Sequence, residues 1–497
     1  MKNKNIKFSS IVILILLLLF VSSCRKNPGE DIKEDIQLTI LSINDFHGQL
    51  EETEDGAGAA RIASYVDEVR EDYPDSTLLL AAGDMFQGTA LSNVGYGEDV
   101  ITFMNMLDFD AMTIGNHEFD WTLDRVLSYR DGDKENGEAD FPFLSTNIYQ
   151  HSIDGLPEEL DEYVIVERMG IKIAIIGFIG ENQKEDISPS MCADYTFESP
   201  LEEVRENIKE ARTEDDADIV IVMGHEDDSK LTNSLANGTG EYAVDAIINA
   251  HTHDLENSRI YRPEDKRHVT VVQSKSSGEY VGHTTLTIDP ETKVVKNSAV
   301  RNVRMTSTRE KDAEVESFVA TTREKYAHIF DRELCVAGCN ISRAQGTKWA
   351  VNALYDFANT EYGPIHAAFI NTGGIRANAF PINKDDIITV NHVYKIMPFD
   401  NMVKVTELTG KQLLHALRIN DVVASDNCYF SNGVYYVNEE VVDENATYRV
   451  IAVDYIFDNE SYPFVNGNNT IITEILFRDI LIKDLEKLGQ NDELWLC

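Results

Sequence analysis

Residues 38–48, Leu-Thr-Ile-Leu-Ser-Ile-Asn-Asp-Phe-His-Gly, decide the fold: an apolar run of strand length stops at a polar cluster holding Asp45, His47 and Gly48. The arrangement recurs four times. Residues 78–82 run into Gly83-Asp84, and residues 111–114 into Gly115-Asn116-His117-Glu118-Phe119-Asp120. Residues 219–223 run into Gly224-His225-Glu226, and residues 246–250 into His251-Thr252-His253. With the runs as strands, every cluster lies at a strand's carboxyl end, the rim where open α/β sheets hold their sites. Neighbouring glycines allow a sharp turn and close approach to a ligand. Charged stretches with helical spacing, such as residues 201–212, alternate with the runs, so residues 36 to about 303 read as α/β.

Carboxylate, imidazole and amide oxygen together suit borderline divalent ions such as zinc, manganese or cobalt, whereas calcium takes oxygens alone. No cysteine belongs to the set, which disfavours a thiolate zinc site. In an extended segment the alternations Asp45-x-His47 and His251-x-His253 each point two side chains the same way. A single His after a strand, or a single Gly-Asp, is an ordinary structural feature. Five such clusters in this order are a chemical signature.

The order resembles the calcineurin-like metallophosphoesterases, whose pattern is D-x-H, G-D, G-N-H-(E/D), G-H and G-H-x-(H/Q/N); Ala250 stands where that family usually has Gly. The resemblance implies two divalent metal ions. One takes Asp45, His47, Asp84 and His253, the other Asp84, Asn116, His225 and His251, with Asp84 bridging. It also implies that His117 is a non-ligand histidine beside the phosphate, oriented by Asp120. Two cations about 3.5–4 Å apart acidify a water for in-line attack on phosphorus. Phosphate esters or anhydrides are then hydrolysed without a covalent intermediate.

Residues 310–330 read as a connecting helix, and a second, mixed α/β domain follows from about residue 333. Three of its segments extend the resemblance to the 5′-nucleotidase / UDP-sugar hydrolase family. Asn371-Thr372-Gly373-Gly374-Ile375-Arg376 is similar to N-x-G-G-I-R, whose Arg grips substrate. Pro398-Phe399-Asp400-Asn401 is similar to P-F-G-N, whose Phe stacks on a base that the Asn contacts. Tyr455 stands where a second stacking aromatic belongs. Asn371, Gly374, Arg376, Phe399, Asn401 and Tyr455 are thus the implied substrate contacts, with Arg343 a further phosphate ligand. An Arg fork suits phosphate, and two rings suit a flat base. The departures are Asp400 for Gly, Gly346-Thr347-Lys348-Trp349 for L-G-N-L, and Phe457-Asp458-Asn459-Glu460-Ser461 for G-G-D-G. A pocket with half its base sandwich altered implies broad nucleotide hydrolysis, a high KM and little purine–pyrimidine discrimination.

The expected fold is α/β: a metallophosphoesterase β-sandwich flanked by helices over residues 36–305, a connecting helix over 306–332, and a smaller substrate-binding α/β domain over 333–497. Net charge is −42, from 44 Lys+Arg against 86 Asp+Glu, a surface that repels phosphate backbones and excludes nucleic acid as a partner. Lys2, Lys4 and Lys7 precede an apolar run at 11–21, too short for a transmembrane helix and typical of an export signal. Val21-Ser22-Ser23-Cys24 resembles a bacterial lipobox, implying a signal peptide over 1–23, a lipid on Cys24, a tether to residue 35 and an outer-membrane lipoprotein facing periplasm or surface. Cys335 and Cys339 are close enough in sequence to pair with each other. The function read here is removal of phosphate from extracytoplasmic nucleotides or related small esters. A cyclic phosphodiesterase or sugar-phosphate phosphatase on the same metals is one alternative; a nucleotide-binding lipoprotein without turnover is another.

Overall fold

The computed structural model describes residues 34–53, 56–133, 137–226 and 228–496. The first run forms the strand Ile36–Ile43, parallel to Thr77–Ala81 and antiparallel to Tyr280–Ile288. It belongs to a seven-stranded sheet in the order Val295–Arg304, Tyr280–Ile288, Ile36–Ile43, Thr77–Ala81, Ala111–Thr113, Phe143–Leu144, Leu160–Asp161. A second sheet has six strands: Leu255–Arg262, Arg267–Ser274, Ala246–Asn249, Ile219–His225, Ile171–Ile179, Tyr163–Arg168.

The strands are apolar on both faces because both faces are covered. Leu38, Ile40, Leu78 and Leu80 meet Ile173, Ile175, Ile219 and Ile221 between the sheets. Leu41, Ile43, Leu79 and Ala81 point the other way, into a core shared with the helices Ala59–Asp72 and Glu98–Met106. Outside the second sheet, Ile176, Val220 and Val222 pack on Val204, Ile208 and Ala211 of the helix Pro200–Thr213. Each such Leu or Ile contributes about 1.5–3 kcal/mol on burial. A β-sandwich flanked by helices is therefore what forms. Three of the five clusters leave the first sheet and two leave the second.

The helix Ala313–Phe330 starts at Asp312, whose side chain accepts from Val315 N at 2.8 Å. Val315, Tyr326 and Phe330 join the helical-side core of the first domain, and Phe330 meets Tyr394 of the second edge-on at 5.7 Å. The second domain builds a five-stranded sheet: Val422–Ala424, Ala367–Asn371, Thr447–Val453, Met402–Thr409, Asn468–Leu476. The helices Arg343–Glu361 and Phe477–Gln490 complete a separate core around Leu354, Phe369, Ile451, Phe464 and Leu481. Ser342 and Gln345 form a reciprocal capping box at the start of the first of these helices.

The suggested Cys335–Cys339 pair does not form. Cys339 is disulfide-bonded, while Cys335 is free along with Cys192 and Cys428. Cys335 lies on the strand Glu333–Ala337 with its thiol in the core, and burial pushes that thiol up to about 12. The expected export signal and Cys24 lie outside the described residues. Among the described residues no helix is long and apolar enough to cross a membrane.

Candidate active site

The strand Ile36–Ile43 ends before Asp45, and Ala246–Asn249 ends before His251. Beyond those ends the backbone is left-handed at Asp45 (φ 50°), His47 (51°), Asp84 (54°), His251 (79°) and His253 (59°). The extended Asp-x-His and His-x-His geometry read from the sequence is thus replaced by turns that fold the side chains back over the sandwich. Each left-handed residue costs about 1–3 kcal/mol, and main-chain hydrogen bonds hold the turns: Asp45 N to Gly83 O and His47 N to Asp84 O, both 3.0 Å. Gly115 passes so close to Asp84 that a Cβ there would lie 2.3 Å from Oδ1.

The turns bring all seven expected ligands together. Three groups of side chains have ligand atoms within 4.8 Å of one another: Asp45, His47 and His253; His47, Asp84 and His117; Asp84, His225 and His251. Asn116 Oδ1 lies 3.0 Å from both His225 Nε2 and His251 Nδ1. His225 Nδ1 faces the Ala82 carbonyl at 2.9 Å, so that nitrogen carries the proton and Nε2 turns its lone pair toward Asn116 Oδ1 and Asp84 Oδ2 (3.3 Å). His47 is fixed in the same way by the Gln87 carbonyl at 2.9 Å, with its Nε2 3.1 Å from His253 Nε2. Acceptors converging on acceptors are a donor set for cations, and the residues present fit divalent ions. Burial lowers His47 to about 3, keeping the ring neutral. Burial opposes charge on His225 too, but Asp84, Asp45 and the Ala82 carbonyl outweigh it and raise that ring to about 10, so its Nε2 is a place for positive charge, a proton or a metal cation. The centre thus demands positive charge.

His117 lies in a short turn, Asn116–Phe119, that places its Nδ1 2.8 Å from Asp120 Oδ2. Burial pulls this imidazole down, yet Asp120 and Asp84 together raise it to about 9. Two supporting residues carried no role in the sequence reading. Glu118 is fully buried and accepts from Asp84 N, Met85 N and Gly115 N at 2.7–2.9 Å, locking two clusters together. Asn44 donates to Asp45 Oδ2 and accepts from Ser274 N, tying the first sheet's rim to the second.

A cavity of about 270 Å³ joins the domains above this centre, lined from below by Asp84, Asn116, His117, His251 and His253. From above it is lined by Asn371, Arg376, Phe399, Asn401 and Tyr455. Gly373 lines it where Gly374 was expected. Arg343 is also placed differently: its guanidinium donates to Ile375 O (2.9 Å) and Thr372 O (2.7 Å) and so holds the loop that carries Arg376. Phe399 stacks on His117, with centroids 6.0 Å apart and planes at 18°, and the Arg376 guanidinium lies over the same ring at 4.6 Å. Asp400 accepts from Trp121 Nε1 of the first domain at 3.0 Å and pairs with Arg478 of its own. Gln87 and Asn93 donate across the same interface to Pro398 O, at 3.2 and 2.6 Å. The carboxylate in the family's glycine position thus ties Phe399 to the residue next to Asp120.

The calcineurin-like phosphoesterase family model matches residues 38–255, and the 5′-nucleotidase C-terminal domain matches residues 293–466. The chain belongs to the 5′-nucleotidase family, with an N-terminal calcineurin-like phosphoesterase domain. Its relatives include an apyrase of Tabanus yao, 28% identical over 452 residues, spanning 82% of this chain and 78% of that protein. Protein UshA of Salmonella pullorum is 26% identical, spanning 92% of each chain. The crystal structure of a 5′-nucleotidase precursor from Thermus thermophilus shares the fold: TM-score 0.72 at 23% identity, covering 91% of this chain and 97% of that one. This member of the 5′-nucleotidase family is a metal-dependent phosphoester hydrolase.

Proposed function

We propose that the enzyme hydrolyses the phosphate esters of extracytoplasmic nucleotides, in a reaction that serves nucleotide salvage. One observation carries this reading. A single cavity joins the ligand clusters and the His117–Asp120 pair to an Arg, an Asn and two aromatic rings from the other domain. Asp45, His47, Asp84 and His253 would hold one divalent ion, and Asp84, Asn116, His225 and His251 the other. Ions held there supply Lewis acidity and lower the pKa of the attacking water. The remaining steps belong to the chain. Asp120 accepts the Nδ1–H of His117 and fixes the ring, which leaves Nε2–H to neutralise charge on the phosphoryl oxygens or the leaving group. Arg376 holds the phosphate, and Phe399, Asn401 and Tyr455 receive the base.

In the conformation seen, His117 and Arg376 already engage Phe399, so a base stacks there after the smaller domain turns away about Ala313–Phe330. Phe399→Ala should therefore raise KM for nucleoside monophosphates by about tenfold, since stacking on an aromatic contributes ~1–3 kcal/mol per base. A small aryl phosphate ester should be affected less. Phosphate release across nucleotides, sugar phosphates, cyclic esters and the aryl ester measures this. Nucleotide kinetics untouched by the substitution would put the sugar-phosphate reading ahead.

The address is proposed from sequence alone: export, with lipid on Cys24 as the membrane attachment. Native protein should partition with membranes, and Cys24→Ala should release or misprocess it, as read by fractionation and mass spectrometry of the mature N-terminus. Wild-type protein found wholly in the soluble fraction would refute the anchor.

A further inference from the structure

The cavity's charges are unevenly used. Among the described residues, Arg376 is the one Arg or Lys that lines it. Arg343 is spent on the carbonyls of Ile375 and Thr372, and Arg478 on Asp400, Pro398 O and Phe399 O. Most of the lining carboxylates are also engaged. Asp84 sits among the ligand imidazoles, Asp120 holds His117, and Asp400 is bound by Trp121 and Arg478. Asp454 accepts from the Asn401 side chain and from the N–H groups of Met402 and Tyr455.

Asp186 differs. It ends the turn Glu181–Asp186 and lines the cavity with its side chain 52% exposed, one oxygen 3.6 Å from His251 Nε2. Its charge also reaches Tyr455, whose hydroxyl is held above the usual phenol range by burial, Asp186 and Asp421. The carboxylate thus lines the same cavity as the ligand cluster and Tyr455, close to His251 and within electrostatic reach of the phenol. A substrate with its phosphate on the ligand cluster and its base on Tyr455 must cross that cavity.

We infer that Asp186 faces the group linking the scissile phosphate to the base, and selects nucleoside monophosphates over di- and triphosphates. The inference rests on the nucleotide reading above. In a monophosphate the linking group is a ribose, whose hydroxyls donate to a carboxylate. In a phosphoanhydride cleaved at its terminal phosphate, it is a further phosphoryl group of the same sign as Asp186, and no second free guanidinium lines the cavity to receive it. Among the described residues the second domain's lining carboxylates, Asp400 and Asp454, are both taken up by other partners.

The test compares kcat/KM for adenosine 5′-monophosphate, its 2′,3′-dideoxy analogue and adenosine 5′-diphosphate in wild type, Asp186→Asn and Asp186→Ala. Wild type should favour the monophosphate over the diphosphate by about tenfold or more, the scale of a like-charge contact at partial exposure. Both variants should reduce that ratio at least about threefold through better use of the diphosphate. Asp186→Asn, which keeps an acceptor, should retain ribose-over-dideoxy discrimination, and Asp186→Ala should lose it. Unchanged ratios in both variants would overturn the inference. So would a parallel loss on all three substrates with lowered metal content, which would make Asp186 a support for His251 alone. Wild type that cleaves an aryl phosphate but no nucleotide would instead overturn the nucleotide reading, and this inference with it.

Discussion

Asp84→Ala should leave the protein with neither metal ion and with activity reduced by more than about 10³-fold, because both Lewis-acid positions depend on one carboxylate. Asp84 is almost fully buried and belongs to two of the three ligand groups, the one with His47 and the one with His225 and His251. Its Oδ1 also accepts the His117 N–H at 2.9 Å. No neighbouring carboxylate can take its place. Glu118 is held by three main-chain N–H groups, and Asp45 is anchored by Asn44 and by the His251 N–H. Bound metal per chain, activity and the thermal melt should be measured together, so that a folded, metal-free variant is distinguished from an unfolded one. Wild-type protein should lose activity on exhaustive chelation and regain it with manganese, cobalt or zinc. Full activity after prolonged dialysis against excess chelator would refute a two-metal centre.

The second large effect should come from His117→Asn, with kcat lowered by on the order of 10²–10⁴, the range for a lost acid or charge stabiliser. Metal content decides what that loss means. His117 lies near enough to His47 and Asp84 to be counted a ligand by distance alone. Its Nδ1 is committed to Asp120 at 2.8 Å, however, and its ring stacks on Phe399 of the substrate-side domain. Two ions retained with kcat reduced would place His117 on the substrate. One ion lost in proportion to activity would make it a ligand.

The local order of chemistry was legible before any coordinates. Apolar runs ending in Asp, His, Asn and Gly announce strands that stop at a site, and residue types announce divalent metals, because both depend on neighbours within a few positions. His117 and Asp120 were readable as a pair for the same reason: a single turn spans three residues. Glu118 and Asn44 were silent. Their roles consist of hydrogen bonds to chain segments 33 and 230 residues away, and nothing in their local sequence says which distant N–H groups arrive.

Short spacing in the sequence marked the five polar clusters and the two-domain order, and resemblance to family motifs supplied the seven ligand candidates and the aromatic and Arg segments of the second domain. The folded chain decided the rest. It divided the clusters between two sheets, because a strand apolar on both faces does not say which sheet it joins. It turned Asp45, His47, Asp84, His251 and His253 into left-handed conformations, a local cost that is met only when packed neighbours supply the compensating hydrogen bonds. It also separated the two arginines singled out in the sequence, Arg343 going to main-chain carbonyls and Arg376 to the cavity, while Arg478 goes to Asp400. A guanidinium binds whatever acceptors the fold brings within reach, and only tertiary packing shows which of them remains for substrate.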